Sequence, residues 1–174
     1  MRNRYYLIGY MGVGKSTWAK KWAKASQLPI HDLDALLESR LQMSIYEYIS
    51  TFGELAFRKQ EREEIQRSAT LEGIIAVGGG SPCFYDNMDV MNAQGETIYL
   101  HAGVGFLSER LRNSTVAGNE RPLLKDLDVD MYPEFVGKHL LERLPYYEKA
   151  AHRISVEKVD VLESLLSLTR PYIK

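Results

Sequence analysis

The sequence predicts an α/β fold, with a mostly parallel sheet covered by helices on both faces. Two observations carry this. Short apolar runs of strand length alternate along the chain with longer helical patterns. Strands separated in this way by helices pair in parallel and are buried on both sides. The second observation is that the unusual residues, glycines and paired acids, directly follow the first three strands. That is where open α/β sheets place their ligands, beyond the carboxyl ends of the strands.

The elements follow in order. Residues 5–9 (YYLIG) read as a buried strand, followed by a glycine loop and a helix over 15–26. Residues 28–32 form a second strand, and 34–42, 45–52 and 54–70 form helices. A third strand over 73–77 runs into three glycines. The fourth strand, 97–101, leads into a helix over 104–112. A helix over about 133–143, a strand over 153–157 and a helix over 162–169 complete the pattern. Nothing repeats, and no Pro/Gly/Ser tract marks a boundary, so the 174 residues are expected to form one domain. Within it, 34–70 are expected to carry substrate-binding helices and about 112–124 a lid.

Bulk chemistry excludes several classes. A net charge of −1 gives no global attraction to nucleic acid or to an anionic membrane. Cys83 is the single cysteine, so no intrachain disulfide forms, which suits a reducing cytoplasm. The apolar run over residues 5–8 is too short for a signal sequence, and no later run reaches membrane-spanning length. His31, His101, His139 and His152 have no zinc-ligand spacing with each other or with Cys83. A cytoplasmic monomer is the expectation.

The most specific motif is Gly9-Tyr10-Met11-Gly12-Val13-Gly14-Lys15-Ser16, a complete G-x-x-x-x-G-K-[ST] between strand and helix. Its glycines let backbone N–H groups turn toward phosphate oxygens, and the following helix adds its positive end. Lys15 would reach the β- and γ-phosphates, and the Ser16 hydroxyl would ligate Mg²⁺. The loop establishes a nucleotide site, but GTPases and motor ATPases share it.

Asp32 and Asp34 flank Leu33 at the end of the second strand. Strand alternation would turn both carboxylates to one side. One could polarise a hydroxyl or hold Mg²⁺ through water, and the other could accept from substrate hydroxyls. Taken alone, Asp34 reads more readily as a cap on the next helix. Gly78, Gly79 and Gly80 remove every side chain where a ligand would approach the backbone.

Arg58, with Glu54 and Glu61 at helical spacing, is either a surface ion-pair ladder or a planar fork for a carboxylate. Arg143 is open between the fork and a helix-ending cation. Residues 110–124 (RLRNSTVAGNERPLL) have a polar, aperiodic middle that suits a mobile lid, from which Arg121 could reach a transferring phosphoryl group.

Together these pieces resemble the shikimate kinase family over nearly the whole chain. The family's phosphate loop, D-x-D, F-R-x-x-E, G-G-G, R-P-L-L and R-x-P-x-Y segments are all met in order. Here they are residues 9–16, Asp32/Asp34, Phe57-Arg58 with Glu61, Gly78-Gly79-Gly80, Arg121-Pro122-Leu123-Leu124, and Arg143, Pro145 and Tyr147. Leu33 and His31 depart from the family's usual residues around the acids.

The resemblance implies a three-layer P-loop NTPase fold of the nucleoside-monophosphate-kinase kind, with five parallel strands and a lid. It implies Mg²⁺-ATP and phosphorylation of the shikimate 3-hydroxyl in aromatic amino-acid biosynthesis. Carried over by residue, Gly12, Val13, Gly14, Lys15, Ser16 and Thr17 would cradle ATP, with Ser16 on the metal. Asp32 would sit by the metal and the reacting hydroxyl. Asp34 would bind the ring hydroxyls, Arg58 and Arg143 the carboxylate, and Gly79 and Gly80 would close that pocket. Arg121 would cover the phosphates and Arg110 would pack on adenine. Two other readings keep the nucleotide loop: a gluconate-kinase-like enzyme, with no special need for both Arg58 and Arg143, and a nucleotide-sensing regulator without transfer chemistry.

Overall fold

The computed structural model describes residues 3–118 and 122–169. Five strands form one sheet: β1 (Arg4–Ile8), β2 (Ile30–Asp32), β3 (Gly73–Ala76), β4 (Glu96–His101) and β5 (His152–Ser155), in the order β2-β3-β1-β4-β5. Every pairing is parallel. The central strands are apolar and buried along nearly their whole length, as a sheet covered on both faces requires. The edge strands β2 and β5, of three and four residues, are partly exposed.

The helices are α1 (Lys15–Ser26), α2 (Leu33–Leu41), α3 (Ile45–Phe52), α4 (Glu54–Arg67), α5 (Asn87–Gln94), α6 (Val104–Val116), α7 (Tyr132–Tyr147) and α8 (Val161–Thr169). α1 buries Ala19, Trp22, Ala23 and Ser26, the i, i+3, i+4, i+7 stripe of a helix on a sheet. Trp22 packs on Tyr5 of β1 with ring centroids 5.1 Å apart, and its indole N–H donates to Thr169 of α8 at 3.4 Å. α3 begins with a full capping box, Ser44 and Glu47 each accepting from the other's backbone N–H. No helix among the described residues is long and apolar enough to cross a membrane.

Three expectations change. Residues 87–94 form α5, which the sequence pattern does not predict; Met88 and Met91, with Val90 partly buried, supply its apolar side. α6 continues through Val116, so 112–116, expected in the lid, are helical. Thr115 is held there by Tyr132, with the two hydroxyls 3.1 Å apart. α7 runs past Arg143 to Tyr147 with Pro145 inside it.

β1 lies between β3 and β4, so the connections from its two sides diverge above its carboxyl end. That is the switch-point crevice of an open parallel sheet. Residues 9–16 leave β1 into this crevice.

Candidate active site

Gly9 starts the loop with φ +146°, and a Cβ there would stand 2.4 Å from the Leu100 carbonyl oxygen. Only glycine lets the loop leave β1 so close to β4. The loop ends at Gly14, left-handed at φ 95°, which sets the first turn of α1 without a side-chain cap. Lys15, Ser16 and Thr17 of that turn line the cavity beside it. The Lys15 ammonium donates to the carbonyls of Gly9 (2.7 Å) and Tyr10 (3.2 Å), folding the lysine back over its own loop. Ser16 and Thr17 are exposed in the first turn, whereas the Val13 side chain is buried in the core. Val13 N–H donates to the Tyr10 carbonyl at 3.3 Å.

The cavity measures about 290 Å³. Gly12 and residues 14–17 line one wall, Asp32, Asp34, Gly78 and Gly79 another, and Arg110 a third. The Arg110 guanidinium lies against Gly14, 3.2 Å from where a Cβ would stand, and 3.5 Å from the Val13 carbonyl oxygen.

The acid pair reaches this cavity by a different route from the one strand alternation suggests. β2 ends at Asp32, which is the N-cap of α2, so Leu33 and Asp34 are already helical. Asp32 Oδ1 accepts from the N–H groups of Asp34 (3.1 Å) and Ala35 (3.3 Å). The cap is therefore Asp32, and Asp34 is not the capping residue. Asp34 sits deeper, and a Cβ on Gly78 would be 2.8 Å from its Oδ1. Burial raises the Asp34 carboxyl to about 6, with Glu61 and Asp32 adding to the rise and Lys15 opposing it.

Arg58, Gly80 and Arg143 are not among the residues that line the cavity. Arg58 Nη1 donates to Glu61 at 2.9 Å, and its Nε and Nη2 donate to Glu54 at 3.2 and 3.0 Å. A Cβ on Gly80 would come within 3.0 Å of Arg58 Nη2. Arg143 Nη1 donates to the His139 carbonyl at 3.1 Å and lies 3.7 Å from Glu142, whose carboxylate is largely exposed. The guanidinium groups of Arg58 and Arg143 both act on Cys83, opposing the burial that pushes its thiol up to about 11. Of the two cations, Arg58 of α4 lies against the glycine backbone at Gly80, and Arg143 of α7 contacts its own helix at His139 and Glu142. The ion-pair ladder is present but is not a surface one: Arg58 makes both helix-spaced pairs while nearly buried, at 13% side-chain exposure.

Sequence reasoning missed several neighbours. The Tyr147 hydroxyl donates to the Gly79 carbonyl at 2.6 Å, and its ring stacks on Tyr99 at 5.0 Å. Tyr10 shares a 2.8 Å hydrogen bond with His139 Nδ1. Burial and then Arg143 lower His139 to about 4, so a neutral ring faces the loop at physiological pH. Tyr147 was visible as the last residue of R-x-P-x-Y; the Tyr10–His139 pair spans 129 residues and left no local signal. Arg121 lies outside the described residues. Among the described residues, no group of three or more His, Cys, Asp or Glu is placed to hold a metal by itself.

Comparisons with known proteins bear on this geometry. The family model "Shikimate kinase" matches residues 11–168. The shikimate kinase of Parabacteroides distasonis is 39% identical over 90% of this chain and 89% of its own. The crystal structure of shikimate kinase from Bacteroides thetaiotaomicron superposes with a TM-score of 0.84 at 35% identity, covering 97% of each chain. Shikimate kinase from Acinetobacter baumannii, solved with shikimate, has a TM-score of 0.79 at 23% identity, covering 98% of this chain and 93% of its own, a likeness of fold. The phosphate loop at the switch point and the acid pair beside it thus stand on a chain that belongs to the shikimate kinase family.

Proposed function

We propose that this chain transfers the γ-phosphoryl group of ATP to the 3-hydroxyl of shikimate. The observation that carries this is one cavity in which the phosphate loop, Asp32, Asp34 and Gly79 come together on a chain of the shikimate kinase family, with Arg58 packed against Gly80 next to Gly79. Arg58 and Arg143 are the cations this reading gives to a substrate carboxylate, since the phosphates have Lys15 and the loop. A substrate carboxylate fits between them, which leaves its ring hydroxyls toward Asp34.

In this reading Gly12, Gly14, Ser16 and Thr17 hold the triphosphate through backbone N–H groups and hydroxyls, and Lys15 swings from its carbonyls onto the β- and γ-oxygens. Val13 takes part through its backbone alone. Magnesium fits the donor set. The described residues make no all-protein cage, so the ion would take Ser16 Oγ and the nucleotide's own oxygens, with Asp32 contacting it through water. Bound there, it would neutralise charge on the phosphate oxygens.

The substrate oxygen attacks Pγ in line, the bond from Pγ to the bridging oxygen breaks, and ADP leaves. The hydroxyl proton passes to a carboxylate, with Asp32 and Asp34 both in the cavity wall. Arg110, packed against Gly14, is proposed to cover the base, and Arg121 to close over the phosphates. Gly79 and Gly80 border the carboxylate subsite with backbone alone.

ADP release measured with shikimate, quinate, gluconate and nucleoside monophosphates tests the proposal. Turnover confined to shikimate, with one phosphorylated product at the 3-position, is expected. Preferred turnover of gluconate or a nucleotide would overturn it.

A further inference from the structure

We propose that the segment directly after the three glycines holds the Arg58 fork in place before substrate arrives, with Ser81 and Phe84 as positioning residues. The proposal rests on the reading of Arg58 as a carboxylate ligand. Arg58 has a long, flexible side chain, and fixing it in advance lowers the entropic cost of binding an anion.

Its inner partner is Glu61, a carboxylate with only 7% side-chain exposure. A buried carboxylate must have both oxygens matched. Oε2 takes the Arg58 Nη1 hydrogen bond at 2.9 Å, and Oε1 accepts from the Ser81 hydroxyl at 2.5 Å. Ser81 is 1% exposed, so no solvent replaces its hydroxyl.

The segment is itself anchored. The Asn87 side-chain amide donates to the Ser81 carbonyl at 2.8 Å, and Ser81 N–H donates to the Gly78 carbonyl at 3.3 Å. Asn87 is fully buried, and its Oδ1 has no hydrogen-bond partner, so this one contact is held against a desolvation cost. Arg62 of α4 pairs with Asp86, its Nη2 lying 3.2 Å from Oδ2, and ties the segment to the helix that carries Arg58.

Phe84 fixes the other direction. Its ring centroid lies 3.9 Å from the Arg58 guanidinium carbon, against 5.0 Å for Phe57. A cation over an aromatic face at this range is attracted to it and confined to a plane. Ser81 thus sets the azimuth of the fork through Glu61, Phe84 sets its plane, and Gly80 leaves its front open.

The contact to a carboxylate is the same before and during phosphoryl transfer. Loosening the fork therefore raises KM for shikimate and spares kcat. Ser81→Ala is expected to raise the shikimate KM about tenfold, with kcat and the ATP KM within about twofold of wild type. Phe84→Leu, which keeps an apolar side chain there, is expected to act in the same direction. In an Arg58→Ala background neither change should raise the shikimate KM further, because both act only through that arginine. An unchanged shikimate KM in both single variants would overturn the proposal, as would an equal rise in the Arg58→Ala background or a parallel fall in kcat. If Arg58→Ala itself leaves the shikimate KM unchanged, the carboxylate reading fails and the positioning role with it. If Arg58→Ala raises it and Ser81→Ala and Phe84→Leu do not, only the positioning role fails.

Discussion

Replacing Asp34 by asparagine should make the protein more stable and less active, with a pH dependence set by one carboxyl. Burial, Glu61 and Asp32 raise Asp34 from 3.8 to about 6. The native state therefore holds a proton between pH 4 and 6 that the unfolded chain has released, and stability falls as pH rises through that window. The interval is roughly two pH units, about 3 kcal/mol at ~1.4 kcal/mol each. Above pH 6 the full cost of the buried charge is present. Asparagine keeps the shape without the charge, so Asp34→Asn should exceed wild type by about 3 kcal/mol at pH 8 and match it near pH 4. In a chain of 174 residues that corresponds to roughly 6–12 °C in Tm. Thermal and urea melts at each pH from 4 to 8 read the difference, and shikimate turnover should collapse in the same protein. A Tm gap that is absent at pH 8, or equal at pH 4 and pH 8, would refute the reasoning.

Lys15→Ala should lower kcat by about three orders of magnitude or more with little change in Tm, since the ammonium acts on β- and γ-oxygens; near-normal turnover would take the loop out of the chemistry. Arg143→Ala should weaken shikimate binding by about 2–5 kcal/mol while calorimetric ATP binding stays near wild type; a loss confined to ATP would reverse its role. Gly78→Ala should impair shikimate turnover, because its Cβ would come 2.8 Å from both Asp34 Oδ1 and Ser81 Oγ. Wild-type kinetics in Gly78→Ala would mean these side chains move aside freely.

The sheet was legible because its strands are short apolar runs and its breaks are glycines and acids, so strand existence and parallel pairing follow from pattern alone. α5 was illegible because asparagine, aspartate and glutamine interrupt the short apolar side made by Met88, Val90 and Met91. The acid pair was found, and its geometry was derived wrongly. β2 is three residues long and turns into α2 at once, so capping replaced pleating. Arg58 was named with both its helix partners because those lie at i−4 and i+3. Its contact with Phe84 and its link through Glu61 to Ser81 were not, since residues 20 or more positions apart meet only after β3 has paired. The same holds for Tyr10 and His139, joined by packing of α7 on the loop.

The central claim is that Arg58 and Arg143 grip a carboxylate while Asp34 turns a hydroxyl toward the phosphate loop. A crystal structure of the protein with shikimate and ADP bound tests it most directly. The account predicts the carboxylate between the two guanidinium groups beside Gly80, with ring hydroxyls hydrogen-bonded to Asp34. A carboxylate bound away from both arginines, or ring hydroxyls turned away from Asp34, would contradict it.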